Sequence, residues 1–290
     1  MFIDRAREAD VMDANELIQR YAAGERDFRE LTLIGANLQG IELSGANLRL
    51  ANLRGANLRG AKLSGVNLRE AILADADLSE ANLSQANLIS ADLSEANLEK
   101  TNLHETNLSR ANLIKAILRE ADLSESLLSE TKLSQANLQK ANLSDTNMSR
   151  ALLMETNMEG ANLEGANLSL AILNGANLEL VNLTNAILNG ANLSGSNLSG
   201  ANLSKAKLSG SNLTGANLSK AQLRVTNLSW STLREVNLSG ATLYRAKLSW
   251  SNLTGANLSD AILIDTNLYH VNLRDAQLRG AIMPDGKTHD

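Results

Sequence analysis

Three histidines, His104, His270 and His289, carry the side chains best suited to metal binding or proton transfer near neutral pH. They lie far apart along the chain, so we expect no metal site built from them. No serine stands in a G-x-S-x-G segment, and no P-loop or G-x-G-x-x-G segment occurs where a strand would lead into a helix. The absence of cysteine excludes thiolate ligands and a cysteine nucleophile. The sequence therefore predicts a protein without enzymatic activity, metal or cofactor.

Aromatic side chains form the second group with recognisable chemistry, because tryptophan and tyrosine are common anchors of protein interfaces. The two tryptophans, Trp230 and Trp250, are twenty residues apart, and His270 follows at the same interval. Tyr269 is adjacent to His270, and Tyr244 comes six residues before Trp250. Whether this spacing brings the rings together depends on the architecture that carries them.

A five-residue repeat determines that architecture. Every fifth residue from Phe28 to Met283 is large and apolar, at 52 uninterrupted positions of which 48 are leucine. The residue two places before it is alanine in 33 repeats, the residue between them is asparagine in 30, and the residue two places after it carries 17 of the 19 glycines. We call the large apolar residue the central position and the residue two places before it the small position. The residue between them is the middle position, and the residue two places after the central one is the corner position. A period of five fits neither a continuous helix nor a continuous strand.

The spacing within each repeat predicts a coil. The small and central residues are two apart, so both point to one side of an extended segment. Glycine at the corner position tolerates positive φ and suits a turn through about a quarter of a circle. Four such sides close a coil of about twenty residues around a leucine core, and stacked coils form a rod roughly 60 Å long.

Residues 36–40 and 56–60 both read Ala-Asn-Leu-x-Gly and resemble the A-(N/D)-L-x-x motif of the pentapeptide repeat family. The resemblance covers residues 26–283. It implies the family fold, a right-handed quadrilateral β-helix, and hence an all-β solenoid of about 13 coils. The segments 24–28 and 282–289 also resemble those of cyanobacterial members, one of which is implicated in regulating heterocyst differentiation.

The ends of the rod need separate elements, because an open edge of a sheet invites aggregation. We predict a short N-terminal helical cap within residues 1–25, the β-helix over 26–283 and a tail at 284–290. Within the cap, residues 13–23 are expected to form a helix over the first coil, and residues 4–11 a second, weaker one.

The predicted helix at 13–23 has recognisable ends and an apolar face. Asp13 and Glu16 resemble a capping box, and Gly24 can end the helix. The apolar face is predicted to comprise Leu17, Ile18, Tyr21 and Ala22. At the other end, Pro284 and the residues after it are expected simply to stop the repeat, which leaves the C-terminal edge available for a homodimer.

Residues twenty apart should stack in columns along the rod. Trp230, Trp250 and His270 are therefore predicted to share one corner, with Tyr244 and Tyr269 close by. We take these five residues as the candidate surface for a protein partner whose identity the sequence leaves open. The alternative is that tryptophan stacking only stabilises neighbouring coils.

Glycine and charge divide the rod into zones. From Glu70 to Glu155, 18 consecutive corners lack glycine, and we expect these corners to avoid positive φ. The net charge is +4 over residues 26–69, −7 over residues 70–155 and −5 for the whole chain. This balance gives no basic footprint for direct nucleic-acid binding, and no apolar run approaches the ~20 residues of a membrane span. The N-terminus also lacks the apolar core of a signal peptide, so a cytoplasmic location is expected.

Two functions follow from these expectations. The first is a protein-binding scaffold or regulator, which the cyanobacterial resemblance connects with cell differentiation. The second is a DNA mimic that binds a topoisomerase such as gyrase, a role that the resemblance implies for some family members. A mimic needs dense negative charge in place of phosphates, whereas the acidic zone interleaves its carboxylates with lysine and arginine. The central position also holds leucine rather than abundant phenylalanine.

Overall fold

The computed structural model describes residues 12–290 and contains one helix, α1, over Ala14–Ala22. Beyond it, isolated parallel β-bridges join each middle residue to the middle residue twenty places later. The series runs without a break from the pair Asp27–Asn47 to the pair Ile262–Ile282. Twenty residues, or four repeats, therefore make one coil, and each side contributes a single bridging residue rather than a longer strand. The chain is an all-β solenoid.

Backbone hydrogen bonds between coils hold this register, as one repeat illustrates. The N–H groups of Leu78 and Glu80 donate to carbonyls nineteen residues later, over 2.7 and 2.9 Å. The N–H of Asn82 donates in the other direction, to the Ala61 carbonyl twenty-one residues earlier, over 2.9 Å. The N–H of Ala81 closes the corner by donating to the Leu78 carbonyl over 3.0 Å. Four of the five N–H groups of the repeat are thus paired by backbone alone.

The fifth N–H explains the asparagine of the middle position. In this repeat the N–H of Ser79 donates to the Asp77 side chain over 3.0 Å, and elsewhere an asparagine Oδ1 accepts the equivalent bond. The amide group also donates to the middle residue one coil earlier, as Asn97 does to Asp77 over 3.1 Å. One column carries an unbroken series of such amide bonds, through Asn157, Asn177, Asn197, Asn217, Asn237 and Asn257.

The core is a single file of central side chains with the small residues packed beside them. All central residues from Phe28 to Leu263 are buried, and so are all small residues from Ala46 to Thr266. Burying one leucine contributes about 1.5–3 kcal/mol before conformational entropy is subtracted. Hydroxyls at small positions mostly donate to carbonyls of the core, as Thr101 does to Leu78 over 2.8 Å.

Every corner has positive φ, whether or not it is glycine. The 51 corners between residues 30 and 280 comprise 17 glycines and 34 other residues, all with φ above 50°. The expectation that the glycine-free zone would avoid this geometry is wrong, since Glu80, Glu120 and Glu130 have φ values of 59°, 56° and 58°. The reason is that the hydrogen bonds on both sides of the corner fix its backbone. Even the β-branched Val225 adopts φ of 59°.

Helix α1 lies where the sequence predicts a helix, over the first coil. Asp13 accepts a hydrogen bond from the N–H of Glu16 over 2.8 Å and so caps the first turn. Leu17 is fully buried in the core cluster, and the Tyr21 hydroxyl donates to the Ser44 carbonyl over 2.9 Å.

The contact face of α1 is narrower than the predicted one. Ile18 is 49% exposed and Ala22 is also exposed, because only the stripe through Leu17 and Tyr21 faces the coil. The weaker helix expected at residues 4–11 lies outside the described residues.

The C-terminal tail folds back on the last coil. Ile282 and Thr288 form an antiparallel bridge. The N–H of Gly280 donates to the His289 carbonyl, and the N–H of His289 donates to the Ala281 carbonyl, both over 2.8 Å. The expectation that the residues from 284 onward merely stop the repeat is therefore wrong, because they satisfy backbone groups on one side of the terminal edge.

The tail leaves the rest of that edge uncovered. Leu268, Leu273 and Leu278 of the last coil are only partly buried, whereas the central residues of earlier coils are buried. Among the described residues, the N–H groups of these three leucines find no backbone acceptor. The rod thus ends in an apolar surface rimmed by unpaired donors.

Glu120→Gly is expected to raise the free energy of unfolding by up to about 1 kcal/mol, because glycine adopts positive φ without Cβ strain. The converse change, Gly195→Glu, meets no atom within 4 Å of its Cβ and should lower the free energy by a similar amount. Urea denaturation followed by circular dichroism measures both. A lower unfolding midpoint for E120G would contradict the idea that the fold imposes this strain.

Candidate partner-binding site

The twenty-residue coil brings the two tryptophans into contact. The Trp230 and Trp250 rings are parallel within 4°, with centroids 5.1 Å apart. The His270 ring continues the stack, with its centroid 4.1 Å from that of Trp250 and a tilt of 31°. All three residues stand at corners, with φ of 64°, 64° and 54°. Their predicted column is therefore a continuous stack of three rings.

Tyr269 joins this stack from the side. Its ring meets Trp250 edge-on with centroids 6.0 Å apart, and it meets His270 at 4.0 Å. The exposed fractions are 63% for Trp230, 46% for Trp250 and 62% for Tyr269. Four aromatic rings thus stand on the surface in mutual contact.

Tyr244 lies apart from this group. It stands beside the preceding corner of the coil, where its ring contacts the guanidinium groups of Arg224 and Arg245 at 5.5 and 5.0 Å. Within residues 12–290 its ring makes no contact with either tryptophan. The five predicted site residues therefore form two groups, which flank the same side of the rod.

We call the side between these two groups the aromatic–basic face, comprising residues 204–210, 224–230, 244–250 and 264–270. Lys207 and Lys247 are exposed at its middle positions. The sequence prediction missed these lysines because it considered net charge by zone and the columns of corner residues, but not the columns of middle residues. Sorting residues by their place in the twenty-residue coil would have found them, since Lys207 and Lys247 are the only charged middle residues between positions 202 and 282.

Beneath the tryptophan corner, the small position holds serine in three consecutive coils. The Ser231 hydroxyl donates to the Leu208 carbonyl over 2.6 Å and lies 3.3 Å from the Ser211 hydroxyl. The Ser251 hydroxyl is buried without a hydrogen-bond partner. A buried hydroxyl without a partner is unfavourable, so this coil carries a local defect directly under Trp250.

The histidines lie in three separate environments. The His104 Nδ1 is 3.0 Å from the Ser124 hydroxyl, His270 stacks on Trp250, and His289 belongs to the folded-back tail. In the described part of the chain, no three histidine, aspartate or glutamate side chains are grouped so that they could hold a metal ion.

The resolved pKa shifts of carboxyl groups have structural causes. Hydrogen bonds from Arg69 and Arg49 lower the pKa of Glu70, and a hydrogen bond from Arg20 lowers the pKa of Glu25. A shallow depression of about 530 Å³ at the C-terminal end is lined in part by Asp260, Arg279 and His289. The lowered pKa values keep the carboxylates of Glu70 and Glu25 charged, which is the opposite of what a general acid requires. Within residues 12–290, the nine-residue helix α1 falls well short of the ~20 apolar residues that a membrane-spanning helix needs, and no other helix is present.

The comparisons with known proteins agree on the repeat. A family model described as "Pentapeptide repeats (8 copies)" matches overlapping segments from residue 27 to residue 283. HetL, a pentapeptide repeat protein involved in heterocyst differentiation regulation from the cyanobacterium Nostoc sp. strain PCC 7120, is 34% identical. That match covers 96% of this chain and 100% of HetL, with a TM-score of 0.44.

Two other solved structures are similar over smaller parts of the chain. Rfr23, a pentapeptide repeat protein from the cyanobacterium Cyanothece 51142, is 36% identical over 31% of this chain and 58% of its own, with a TM-score of 0.21. QnrB1, a plasmid-mediated fluoroquinolone resistance protein, is 22% identical over 69% of this chain and 90% of its own, with a TM-score of 0.41. A search of curated proteins gave no significant match.

Ser251→Ala is expected to leave the free energy of unfolding unchanged or raise it by up to about 1 kcal/mol, because it removes a buried hydroxyl that has no partner. Ser231→Ala is the matched control one coil earlier and should lower it by about 1 kcal/mol through loss of its hydrogen bond. Thermal unfolding of the two variants compares them directly. Equal destabilisation by both would show that the Ser251 hydroxyl is paired in solution.

Proposed function

We propose that this chain, which belongs to the pentapeptide repeat family, is a non-catalytic scaffold that binds a partner protein through Trp230, Trp250, Tyr269 and His270, with Tyr244 at the margin. The observation that carries the proposal is the exposure of the stacked rings. Large aromatic side chains that are about half exposed and in mutual contact are typical anchors of protein interfaces.

Stacking alone accounts poorly for this arrangement. A contact between aromatic rings contributes about 0.5–1.5 kcal/mol, yet Trp230 and Trp250 occupy corners whose positive φ disfavours bulky side chains. Phenylalanine, tryptophan and tyrosine make up only 2% of the chain, and most corners carry glycine or a polar residue. Both tryptophans and two of the three tyrosines nevertheless lie at the edges of the aromatic–basic face. This concentration supports a binding role.

The proposed biological setting is cyanobacterial. HetL is described as involved in the regulation of heterocyst differentiation, and its match extends over nearly the whole of this chain. We therefore propose that the scaffold acts in cyanobacterial cell differentiation. We propose the cytoplasm as its location, because a chain without cysteine forms no disulfides and suits a reducing compartment. In this proposal α1 serves as the N-terminal cap of a rod of about 13 coils, and residues 284–290 form the tail.

The alternative is that the protein imitates DNA and binds a topoisomerase such as gyrase. The charge distribution supports this function less than it supports a scaffold. Several carboxylates within residues 70–155 pair with neighbouring cations or amides, as in Arg110–Glu130 at 3.2 Å and Gln85–Glu105 at 2.7 Å. A mimic needs its negative charge unpaired and regularly spaced, as phosphates are.

Replacing both tryptophans by alanine tests the proposed surface. In pull-downs from a cyanobacterial extract, the double variant Trp230→Ala, Trp250→Ala should lose a partner protein that the unchanged chain retains, with affinity reduced at least about tenfold. The matched control is Leu50→Ala, Leu180→Ala, since both leucines are exposed corner residues outside the stack, at 40% and 62%. Retention of the same partners by the tryptophan variant would overturn the proposal.

The uncovered C-terminal edge supports a homodimer as a second interaction. The unchanged chain is expected to show twice the mass of one chain in light scattering, because two edges could bury the partly exposed Leu268, Leu273 and Leu278 against each other. Leu273→Lys should give a monomer, whereas Asn252→Lys, one coil below the edge, should not. A monomer mass for the unchanged chain would contradict this mode of association.

A further inference from the structure

The aromatic–basic face has a charge opposite to that of the protein. It carries five cationic side chains and one carboxylate, a net charge of +4, in a chain of net charge −5. The five cations are Lys205, Lys207, Arg224, Arg245 and Lys247. The carboxylate, Asp265, pairs with Arg245 over 3.3 Å at the edge of the face.

The other cations of this face lack a carboxylate partner. Within the described chain, no aspartate or glutamate lies within salt-bridge distance of Lys205, Lys207, Arg224 or Lys247. All four residues are exposed. By contrast, the arginines of the second coil, Arg49, Arg54 and Arg59, each pair with a carboxylate of the third coil. The basic charge of the face is therefore free to meet an outside anion.

At its middle positions the face carries lysine in place of the usual asparagine. Asparagine at this position normally accepts a hydrogen bond from the N–H two residues later, as Asn227 does from Ser229 over 3.1 Å. Lysine has no acceptor atom, so neither Lys207 nor Lys247 can accept that bond. The Ser209 N–H after Lys207 donates instead to Asn189 Oδ1 of the preceding coil over 3.1 Å, so only the site of Lys247 lacks a replacement among the described residues. They lie two coils apart on either side of Asn227, which separates their backbones by roughly 10 Å.

The edge of the face contains a notch one coil wide beside the tryptophan stack. The corner before Trp230 in the same column is Gly210, and no atom lies within 4 Å of the position its Cβ would occupy. On the far side, Leu170 leans over Gly190, with its Cδ2 at 2.8 Å from the corresponding Cβ position. One flat face of the Trp230 ring is thus open to solvent. The notch beside it has Gly210 at its base and the Leu170 side chain on the opposite side.

We propose that the aromatic–basic face binds an acidic polypeptide segment that carries one aromatic or large apolar side chain. Its carboxylates pair with Lys207 and Lys247, and its ring enters the notch above Gly210 and extends the stack on Trp230. The proposal rests on the partner-binding function above and adds the chemistry of the partner. Charge complementarity steers such a segment to the face, and the ring fixes its register.

The charge of the neighbouring coils favours a short polypeptide over a nucleic acid. The acidic zone ends about 10–15 Å below Lys205 along the rod, a distance comparable to the Debye length of roughly 8–10 Å at physiological salt. A nucleic-acid strand longer than the face would run onto that zone and be repelled. A polypeptide can place its carboxylates over the lysines alone.

Tryptophan fluorescence is a direct readout, because both tryptophans of the chain lie at this face. The probe is a synthetic peptide of alternating glutamate and serine with one central phenylalanine, titrated into the full chain. We expect a saturable change in emission, and Lys207→Glu, Lys247→Glu should weaken binding at least about tenfold. The matched control is Lys62→Glu, Lys132→Glu, which reverses two middle-position lysines on other sides of the rod and should leave the affinity unchanged.

A second pair of variants tests the notch. Gly210→Leu should fill it and weaken the phenylalanine peptide severalfold, whereas Gly215→Leu, at the next corner with equally open space, should not. A peptide in which serine replaces the phenylalanine should bind more weakly to the unchanged chain. Its affinity should be the same for the unchanged chain and for the G210L variant.

Several outcomes would overturn the inference. These are no binding of the acidic peptide, equal weakening by the two lysine pairs, or tighter binding of oligothymidine with the same lysine dependence, which would assign the face to nucleic acid. The pull-down separates this inference from the proposed function. A native partner lost with Trp230→Ala, Trp250→Ala but retained by K207E, K247E would leave the partner surface standing and remove its acidic occupant.

Discussion

Hydrogen bonds between backbone groups nineteen to twenty-one residues apart are the constraint on which this structure depends. They fix the coil at twenty residues, so the side chain at each position meets its equivalent in the coils above and below. The leucine file, the alanines beside it and the asparagine columns all follow from that register. Asparagine completes the hydrogen bonding of the repeat, because its side chain accepts the one N–H that pairs with no backbone carbonyl of a neighbouring coil.

The same register creates the candidate site. Trp230, Trp250 and His270 are separated by forty residues in all, yet their rings form one stack because consecutive coils present the same corner. Lys207 and Lys247 share a side of the rod with them for the same reason. The recognition surface is thus made of single residues from successive coils, on a backbone that is nearly identical everywhere.

The repeat predicted the coil, the buried positions and the tryptophan column, since all three depend only on spacing. It did not predict the backbone of the corners, because local preference pointed away from positive φ at residues such as Glu120 and tertiary hydrogen bonds prevailed. It missed the folded-back tail, although Pro284, Asp285 and Gly286 are typical turn residues. It also placed Tyr244 with the tryptophans, because distance along the chain does not show that a corner lies between them.

The uniform corners have a consequence for how such a surface can change. Since the backbone at Trp230 and at Gly210 has nearly the same φ, exchanging one side chain for another alters what is displayed without redirecting the chain. Each surface residue then has two coordinates, a side of the rod and a height along it. A binding feature can be shifted to the next side by a five-residue insertion, or to another height by a twenty-residue one. The surface side chains of this fold can therefore change independently of the backbone that carries them.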